Sequence, residues 1–429
     1  MATFDIEPEF AADLEWVRAF VEQEIEPLDL AFGGEDILDK SHPVHDAIVR
    51  PLQARVRERG LWSCHLTPEL GGQGYGQVRL AYLNEILGRS GLGPMVFGCQ
   101  APDSGNAEVL AHFGTDDQKR DYLEPLLGGR ISSCYSMTEP QGGSDPSLFT
   151  TTAVRDGDEW VITGEKFFST NFEHAAFIIV MAVTNPDVAV YQGTSMFLVP
   201  AGATGLEVVR PTGLGYDALG TGNHPLVRYN GVRVASDQLL GGEGQAFAIA
   251  QSRLGGGRLH HAMRTVGAVG RCLDMLCERA LSRTTQGELL AKKQLTHEKI
   301  ADAWIELTQF RLQVLHAAWV FDTKGGQAAR REIAGVKVAA PKVFQEAVLR
   351  TMQLHGALGV SNEMPLARML LLAVTMGLAD GPTEVHKVAI ARDVLKDYRP
   401  APGPWPSEHL PERRAKAVEA YAALLEPTS

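Results

Sequence analysis

Four short stretches of this 429-residue chain have the residue types and spacing to do chemistry. The first is Tyr135-Ser136-Met137-Thr138-Glu139-Pro140-Gln141-Gly142-Gly143-Ser144-Asp145. Its hydroxyls and flexible backbone amides suit hydrogen bonding to a flat, polar-edged ligand or to phosphates, although the same residues also build a domain-joining turn. The second, Gly164-Glu165-Lys166-Phe167-Phe168-Ser169-Thr170-Asn171, sets paired aromatics beside hydroxyls. Such a segment can stack on a ring system and bond its edge, or bury its phenylalanines as a core strand. In Leu254-Gly-Gly-Gly-Arg258-Leu259-His260-His261-Ala262-Met263-Arg264, three glycines leave amides free for an anion beside Arg258. Adjacent histidines on a helix face different ways, so His260 and His261 are poor joint metal ligands; packing is their expected role and no metal is expected. The fourth stretch is Leu378-Ala379-Asp380-Gly381-Pro382-Thr383-Glu384-Val385-His386. Taken alone, Asp-Gly-Pro is a turn near a helix N-cap, and Glu384 is a first-turn carboxylate favoured by the helix dipole.

These stretches must be positioned by elements of three textures. Up to about residue 130 the patterns are helical, at residues 11–25, 51–61 and 116–127, with a turn-rich loop at 67–74. From about 131 to 240, short runs rich in Val, Ile and Phe (EWVITG, FIIVMAVT, TSMFLVP, LEVVRP) alternate with Gly, Pro, Asn and Asp. A compact β-domain is expected there, a small barrel or sandwich. From about 241 to 397 long helices return. Ile300, Ala303, Leu307, Phe310, Val314, Ala317 and Phe321 form a bundle seam about 30 Å long. Lys324-Gly325-Gly326 should break that helix, with another following from about 327 towards 355. A proline-rich connector, RPAPGPWP, and a polar helical tail complete residues 398–429. This α-then-β-then-α order, and the absence of a glycine fingerprint after a strand, argue against a doubly wound dinucleotide fold.

Composition bounds the possibilities. Lys and Arg total 40 against 52 Asp and Glu, a net charge of −12, which argues against a protein that works by neutralising nucleic-acid phosphates. Five cysteines without zinc spacing or a disulfide framework fit a reducing compartment. An acidic N-terminus and the lack of a long apolar run predict a cytoplasmic location, with no signal peptide and no membrane span.

Taken in order and spacing, TEP-x-x-GSD, GEKFFSTN, the R-x-HH-x-MR helix, QLHGALG and ADGPTEVH resemble the acyl-CoA dehydrogenase family over nearly the whole chain. TPELGGQG and FGTDDQKRDYLEPLLGGR add to the likeness. The double-histidine helix and the ADGP loop are similar to a subfamily found in bacteria and, fused to a kinase-like domain, in animals. The resemblance implies an N-terminal helical domain, a middle β-domain and a C-terminal four-helix bundle. It also implies FAD between the β-domain and the bundle, with a second subunit completing the site.

By that resemblance, Tyr135, Thr138, Gly143 and Ser144 line the flavin and its pyrophosphate, Thr138 donating to the pyrimidine edge. Phe168, Ser169 and Thr170 stand where the family packs residues against the ring. Gln353, His355 and Gly356 match the segment reaching the neighbouring subunit's adenosine, although Ala357 replaces a second glycine. Arg258 aligns with the arginine near the thioester, and Ser144 is also expected near substrate. Asp380 is the expected base, where the wider family has glutamate before Gly-Thr; Glu384 is its competitor. The implied reaction makes trans-2-enoyl-CoA from acyl-CoA, a carboxylate taking the α-proton and flavin N5 the β-hydride. Aspartate must sit about 1.5 Å closer than glutamate would.

Two departures affect the detail. The family's Arg-x-x-Phe-Gly loop is replaced by a longer stretch from Arg283 to Lys293, where Arg283, Lys292 or Lys293 would have to serve. Pro382 offers neither hydroxyl nor N–H. The implied partners are an electron-transfer flavoprotein as electron acceptor and further copies of the chain, as a homodimer or homotetramer. The alternatives are a flavin oxidase acting on another acidic C–H, like the nitroalkane oxidases, and a non-catalytic FAD-binding homologue.

Overall fold

The computed structural model describes residues 6–32, 37, 39, 40, 42–401 and 403–425. Two compact units adjoin in sequence between Lys387 and Val388.

The first unit opens with helices. Helix α1 (Pro8–Phe20) buries Phe10, Leu14, Val17 and Phe20, a three- and four-residue spacing that makes one apolar face. It runs on through a widened turn at Val21–Ile25 into Glu26–Phe32. After α2 (Arg50–Glu58) come α3 (Gly76–Leu87) and α4 (Asp103–Phe113). The charged stretch beyond begins with a capping box: the Gln118 amide donates to Thr115 Oγ1 while the Gln118 side chain accepts from the Thr115 amide.

The middle sheet has eight strands: β1 (Ser133–Ser136), β2 (Thr152–Asp156), β3 (Glu159–Lys166), β4 (Phe177–Val183), β5 (Thr194–Pro200), β6 (Leu206–Arg210), β7 (Leu226–Ala235) and β8 (Leu239–Leu240). Their order is β6-β7-β3-β2-β4-β5-β8, with β1 added in parallel to β4. The first six residues of β4 are all buried because both of its faces are covered. Phe177, Ile179 and Met181 pack towards helices, and Ile178, Val180 and Ala182 into the sheet's own interior. There Trp160 of β3 meets Phe197 of β5, ring centroids 5.3 Å apart, although the two strands are not neighbours. The sheet therefore curls over its own core. Strand β7, the longest, has no counterpart among the runs picked out from the sequence: Asn230-Gly231 and its arginines break the apolar pattern.

Long helices complete the unit: α5 (Ala246–Ser282), α6 (Gln294–Lys324), α7 (Arg330–His355), α8 (Leu366–Met376) and α9 (Thr383–Leu395). Helix α5 packs against α3, α6 and α7, so it joins the N-terminal helices to the bundle. The expected seam on α6 holds, with Ala303, Phe310, Val314 and Ala317 buried, and the helix stops at the Gly325-Gly326 break. Arg283–Lys293 is a hairpin, Thr284–Thr285 pairing with Glu288–Leu289. Gln286 and Gly287 at its tip both have positive φ, the geometry of a two-residue turn matched to strand twist. No described helix is long and apolar enough to cross a membrane.

The second unit holds the end of α9, the proline-rich segment and α10 (Leu410–Leu425). Trp405 stacks on His409 at 4.6 Å, and Leu410, Val418, Tyr421 and Leu424 are exposed.

Candidate active site

The two hydroxyl-bearing motifs are joined by a buried ion pair. Glu139 lies just after β1 and Lys166 ends β3; their side chains are fully buried and 2.8 Å apart. Glu139 also accepts from the backbone amides of Thr150 and Thr151, the Thr150 hydroxyl and Gln141 Nε2. Lys166 Nζ donates in addition to the Met137 carbonyl. Burial opposes ionisation of Glu139, but Lys166 and these donors outweigh it and hold the carboxyl below its usual range. Burial pulls Lys166 down to about 8 against the attraction of Glu139. The sequence reading missed both residues as a pair. The available signal was the charge at Glu139 and Lys166 inside otherwise apolar or turn-forming motifs.

This pair holds an edge lined with possible ligand-binding groups. Phe167 N–H donates to the Thr138 carbonyl at 2.8 Å, bringing Thr138 beside Phe168. Phe168 is 45% exposed at φ 54°, an unfavourable backbone for a large side chain, with the Phe167 and His224 rings 4.5 and 5.9 Å from its own. Thr170 Oγ1 lies 2.8 Å from His224 Nδ1. Gly143 and Ser144 are exposed, and a Cβ at Gly143 would meet only Thr138 Cγ2, at 3.8 Å. Ser169 is fully buried, its hydroxyl 2.7 Å from that of Ser136, which also receives the Tyr229 hydroxyl. Its side chain therefore faces the core rather than this edge.

The acidic loop follows α8. Asp380 has φ 56° and Gly381 φ 94°, so the chain turns through two left-handed positions. Arg258 Nε donates to the Asp380 carbonyl at 2.9 Å, and His386 Nε2 lies 3.3 Å from the same oxygen. Asp380 Oδ2 is 3.6 Å from His261 Nε2. Lys337 Nζ donates to the Met376 carbonyl, tying α7 to the end of α8. Burial lowers the pKa of Lys337, and Asp380 counteracts it. Arg258 is lowered by burial and raised by Asp380 in the same way. Glu384 lies in the first turn of α9 and is exposed.

Between loop and sheet stands Tyr135, half-buried on β1 with the Arg253 guanidinium 4.0 Å over its ring. Burial pushes its phenol up to about 12, with Arg253 opposing and Asp380 adding to the rise. Arg253 Nε donates to Asn106 Oδ1 on α4. Nearby Glu108 is pushed up to about 7 by burial despite Arg253. A Cβ on Gly256 would come within 3.2 Å of Glu108 Oε2, whereas Gly255 faces open space. A Cβ on Gly257 would lie 3.9 Å from Asp380 Oδ2, so this glycine leaves the α5 wall bare where Arg258, His261 and Asp380 converge.

The histidines separate as their adjacency requires. His260 Nε2 lies 3.1 Å from Gln77 Oε1 in the core, while His261 faces Asp380. Among the described residues no group of three His, Cys, Asp or Glu side chains is placed to hold a metal. The remaining expected residues lie elsewhere. Gln353 and Gly356 are exposed, and a Cβ at Gly356 would meet nothing within 4 Å. His355 is buried, with Nδ1 2.8 Å from the Thr351 carbonyl one turn back. Arg283 is exposed at the end of α5, Lys292 is exposed and Lys293 pairs with Glu288 at 3.0 Å.

Three family models match in succession: the acyl-CoA dehydrogenase N-terminal domain at residues 8–130, the middle domain at 134–226 and the C-terminal domain at 244–395. A probable acyl-CoA dehydrogenase of Mycobacterium tuberculosis, FadE2, is 40% identical over 352 residues, 81% of this chain and 86% of that protein. The chain belongs to the acyl-CoA dehydrogenase family. Acyl-CoA dehydrogenase family member 11 of Rattus norvegicus is 38% identical over 89% of this chain. The chain spans about half the length of that relative and of its mouse counterpart. A candidate acyl-CoA dehydrogenase from Mycobacterium abscessus shares the fold with a TM-score of 0.85 at 39% identity, covering 92% of this chain and all of that one.

Members of this family are FAD flavoproteins. The residues present fit that cofactor. A half-exposed aromatic ring at Phe168, hydroxyls at Thr138 and Thr170 and open backbone at Gly143 and Ser144 are what a planar ring with polar edges and a pyrophosphate require.

Proposed function

We propose that this protein is an acyl-CoA dehydrogenase that removes the α-proton of an acyl thioester with Asp380 and releases a trans-2-enoyl-CoA. The observation that carries this reading is the placement of Asp380: one carboxylate on a loop pinned by Arg258 and His386, facing the bare wall of α5. FAD, when bound, supplies the acceptor for the β-hydride. Thr138, Gly143, Ser144, Phe168 and Thr170 would hold it, and Tyr135 would floor the junction with substrate; Ser169 would contribute only through its backbone. Arg258 and Ser144 would serve the thioester and its CoA. Glu384, exposed at the start of α9, is the weaker candidate because it has no such anchoring.

Exposed Gln353, Gly356 and Arg283 fit contacts to a second subunit's cofactor better than to their own, which favours a homo-oligomer. His355 would then act mainly by fixing the end of α7. Electron-transfer flavoprotein as acceptor, a cytoplasmic location and domain limits near residues 130, 240 and 397 belong to the same reading. Anaerobic mixing of the FAD-loaded chain with octanoyl-CoA or palmitoyl-CoA should bleach the oxidised-flavin band. The Asp380→Asn variant should still bind FAD but lose on the order of 1,000-fold or more in that reduction, and Glu384→Gln should keep it. Turnover of nitroalkanes with oxygen, or bleaching by neither class of substrate, would replace this reading.

A further inference from the structure

The contacts that hold the Asp380 loop act on its main chain. Arg258 and His386 both reach the Asp380 carbonyl, which leaves the carboxylate free to turn about its own two torsions. The side chain beside that carboxylate is His261, three residues along α5 from Arg258 and therefore on the same helical face. We propose that His261 is a positioning residue that aims the Asp380 carboxylate, presenting its Nε2–H to Oδ2 so that Oδ1 is left for the substrate α-proton. This deepens the reading of Asp380 as the base and rests on it.

The 3.6 Å separation of Nε2 and Oδ2 is longer than a hydrogen bond, so the proposed contact requires the two groups to close up when substrate binds. Catalytic hydrogen bonds in ligand-free sites are often long and tighten when substrate arrives. Such an aiming contact matters more for aspartate than for glutamate, because the shorter side chain must place one oxygen accurately to reach the α-carbon. The charged groups facing His261 are Asp380 from the loop, Arg253 and Arg264 from α5, and Lys337 from α7. Burial, Arg264, Lys337 and Arg253 hold the imidazole below its ordinary value, while Asp380 pulls it upward. The ring is therefore a neutral single donor near pH 7. The role assigned to His261 is to aim the base. His260, committed to Gln77, cannot substitute for it.

The test uses the FAD-loaded full chain, octanoyl-CoA or palmitoyl-CoA, and stopped-flow flavin reduction across pH. His261→Leu, similar in bulk but without a donor, should lower the limiting rate on the order of 10- to 100-fold. Its substrate dissociation constant should stay within about threefold of the parent value. The acid limb of its rate profile should move to higher pH, because the carboxylate has lost a stabilising donor. His261→Gln, which keeps an N–H near the Nε2 position, should recover most of the rate and the original limb. A parental rate and limb in His261→Leu, or equal losses in both variants, would overturn the proposal. If His261→Leu fails to fold, the limb of His261→Gln decides: unshifted supports the role and shifted removes it. Full reduction in Asp380→Asn would sink the base assignment and this role together. Loss in Asp380→Asn with His261→Leu unaffected would sink this role alone.

Discussion

The hydroxyl-lined edge of the sheet and the Asp380 loop, which the proposed function joins in one site, are held in opposite ways. The edge rests on Glu139 and Lys166, a fully buried pair wrapped in backbone donors and anchored in strands on either side. The loop is irregular backbone at two positive-φ residues, pinned by side chains arriving from α5 and α9. Rigidity at the edge comes from the sheet ladder and a saturated polar knot. At the loop it comes from a few long-range contacts that cross 122 residues of sequence between Arg258 and Asp380. A cofactor platform that keeps one shape suits the first design. A base that must tighten on substrate suits the second.

This contrast is sharpest where one partner of the buried pair is removed. Lys166→Met leaves Glu139 charged and unpaired in the core, a loss of roughly 3–5 kcal/mol. Chemical denaturation should show that loss together with weaker retention of FAD, and Glu139→Leu added to it should restore much of the stability. A parental midpoint for Lys166→Met would remove the pair from its structural role.

The loop should respond in activity more than in stability. A Cβ at Gly381 would be strained at φ 94° and would meet His386 Nε2 at 3.1 Å. Gly381→Ala should cost only about 1 kcal/mol in a thermal melt. Flavin reduction by acyl-CoA should nevertheless fall on the order of 10- to 100-fold through displacement of the carboxylate. Equal rates with a lowered melting temperature would show that the loop tolerates displacement.

The smallest expected effect concerns Glu108, pushed up to about 7 from an ordinary 4.5. Its folded value lies above its unfolded one, so the folded chain binds a proton that the unfolded chain releases. The stabilisation this provides is complete below pH 4.5 and is lost as pH rises through about 7. In melting curves from pH 4.5 to 8, Glu108→Gln should flatten that part of the pH dependence. An unchanged slope would mean that Glu108 titrates as an ordinary carboxylate.

Legibility in the sequence followed the same division. The α6 seam, its stop at Lys324-Gly325-Gly326 and the runs that became β3, β4, β5 and β6 could be read because local periodicity and turn residues encode them. Strand β7 escaped, since Asn230-Gly231 interrupts a strand recognisable only through its partners β3 and β6. The Arg283–Lys293 stretch was visible as a departure, but its hairpin turns on Gln286 adopting a positive φ that glutamine rarely does. His261 was read as packing, which its adjacency to His260 allowed; the neighbour it faces comes from another part of the chain.

The sequence by itself determined the order of helical, strand and bundle segments, the motifs that mark the acyl-CoA dehydrogenase family and the identity of the candidate base. Each of these is carried by residues close together in the chain, where periodicity, turn chemistry and motif spacing act. Only the tertiary structure decided that Glu139 meets Lys166, that Ser169 turns inward, that Gln353 and Arg283 are exposed, and that His261 rather than His260 faces Asp380. Those outcomes depend on which distant surfaces pack together, and burial and electrostatics act through space without regard to sequence distance.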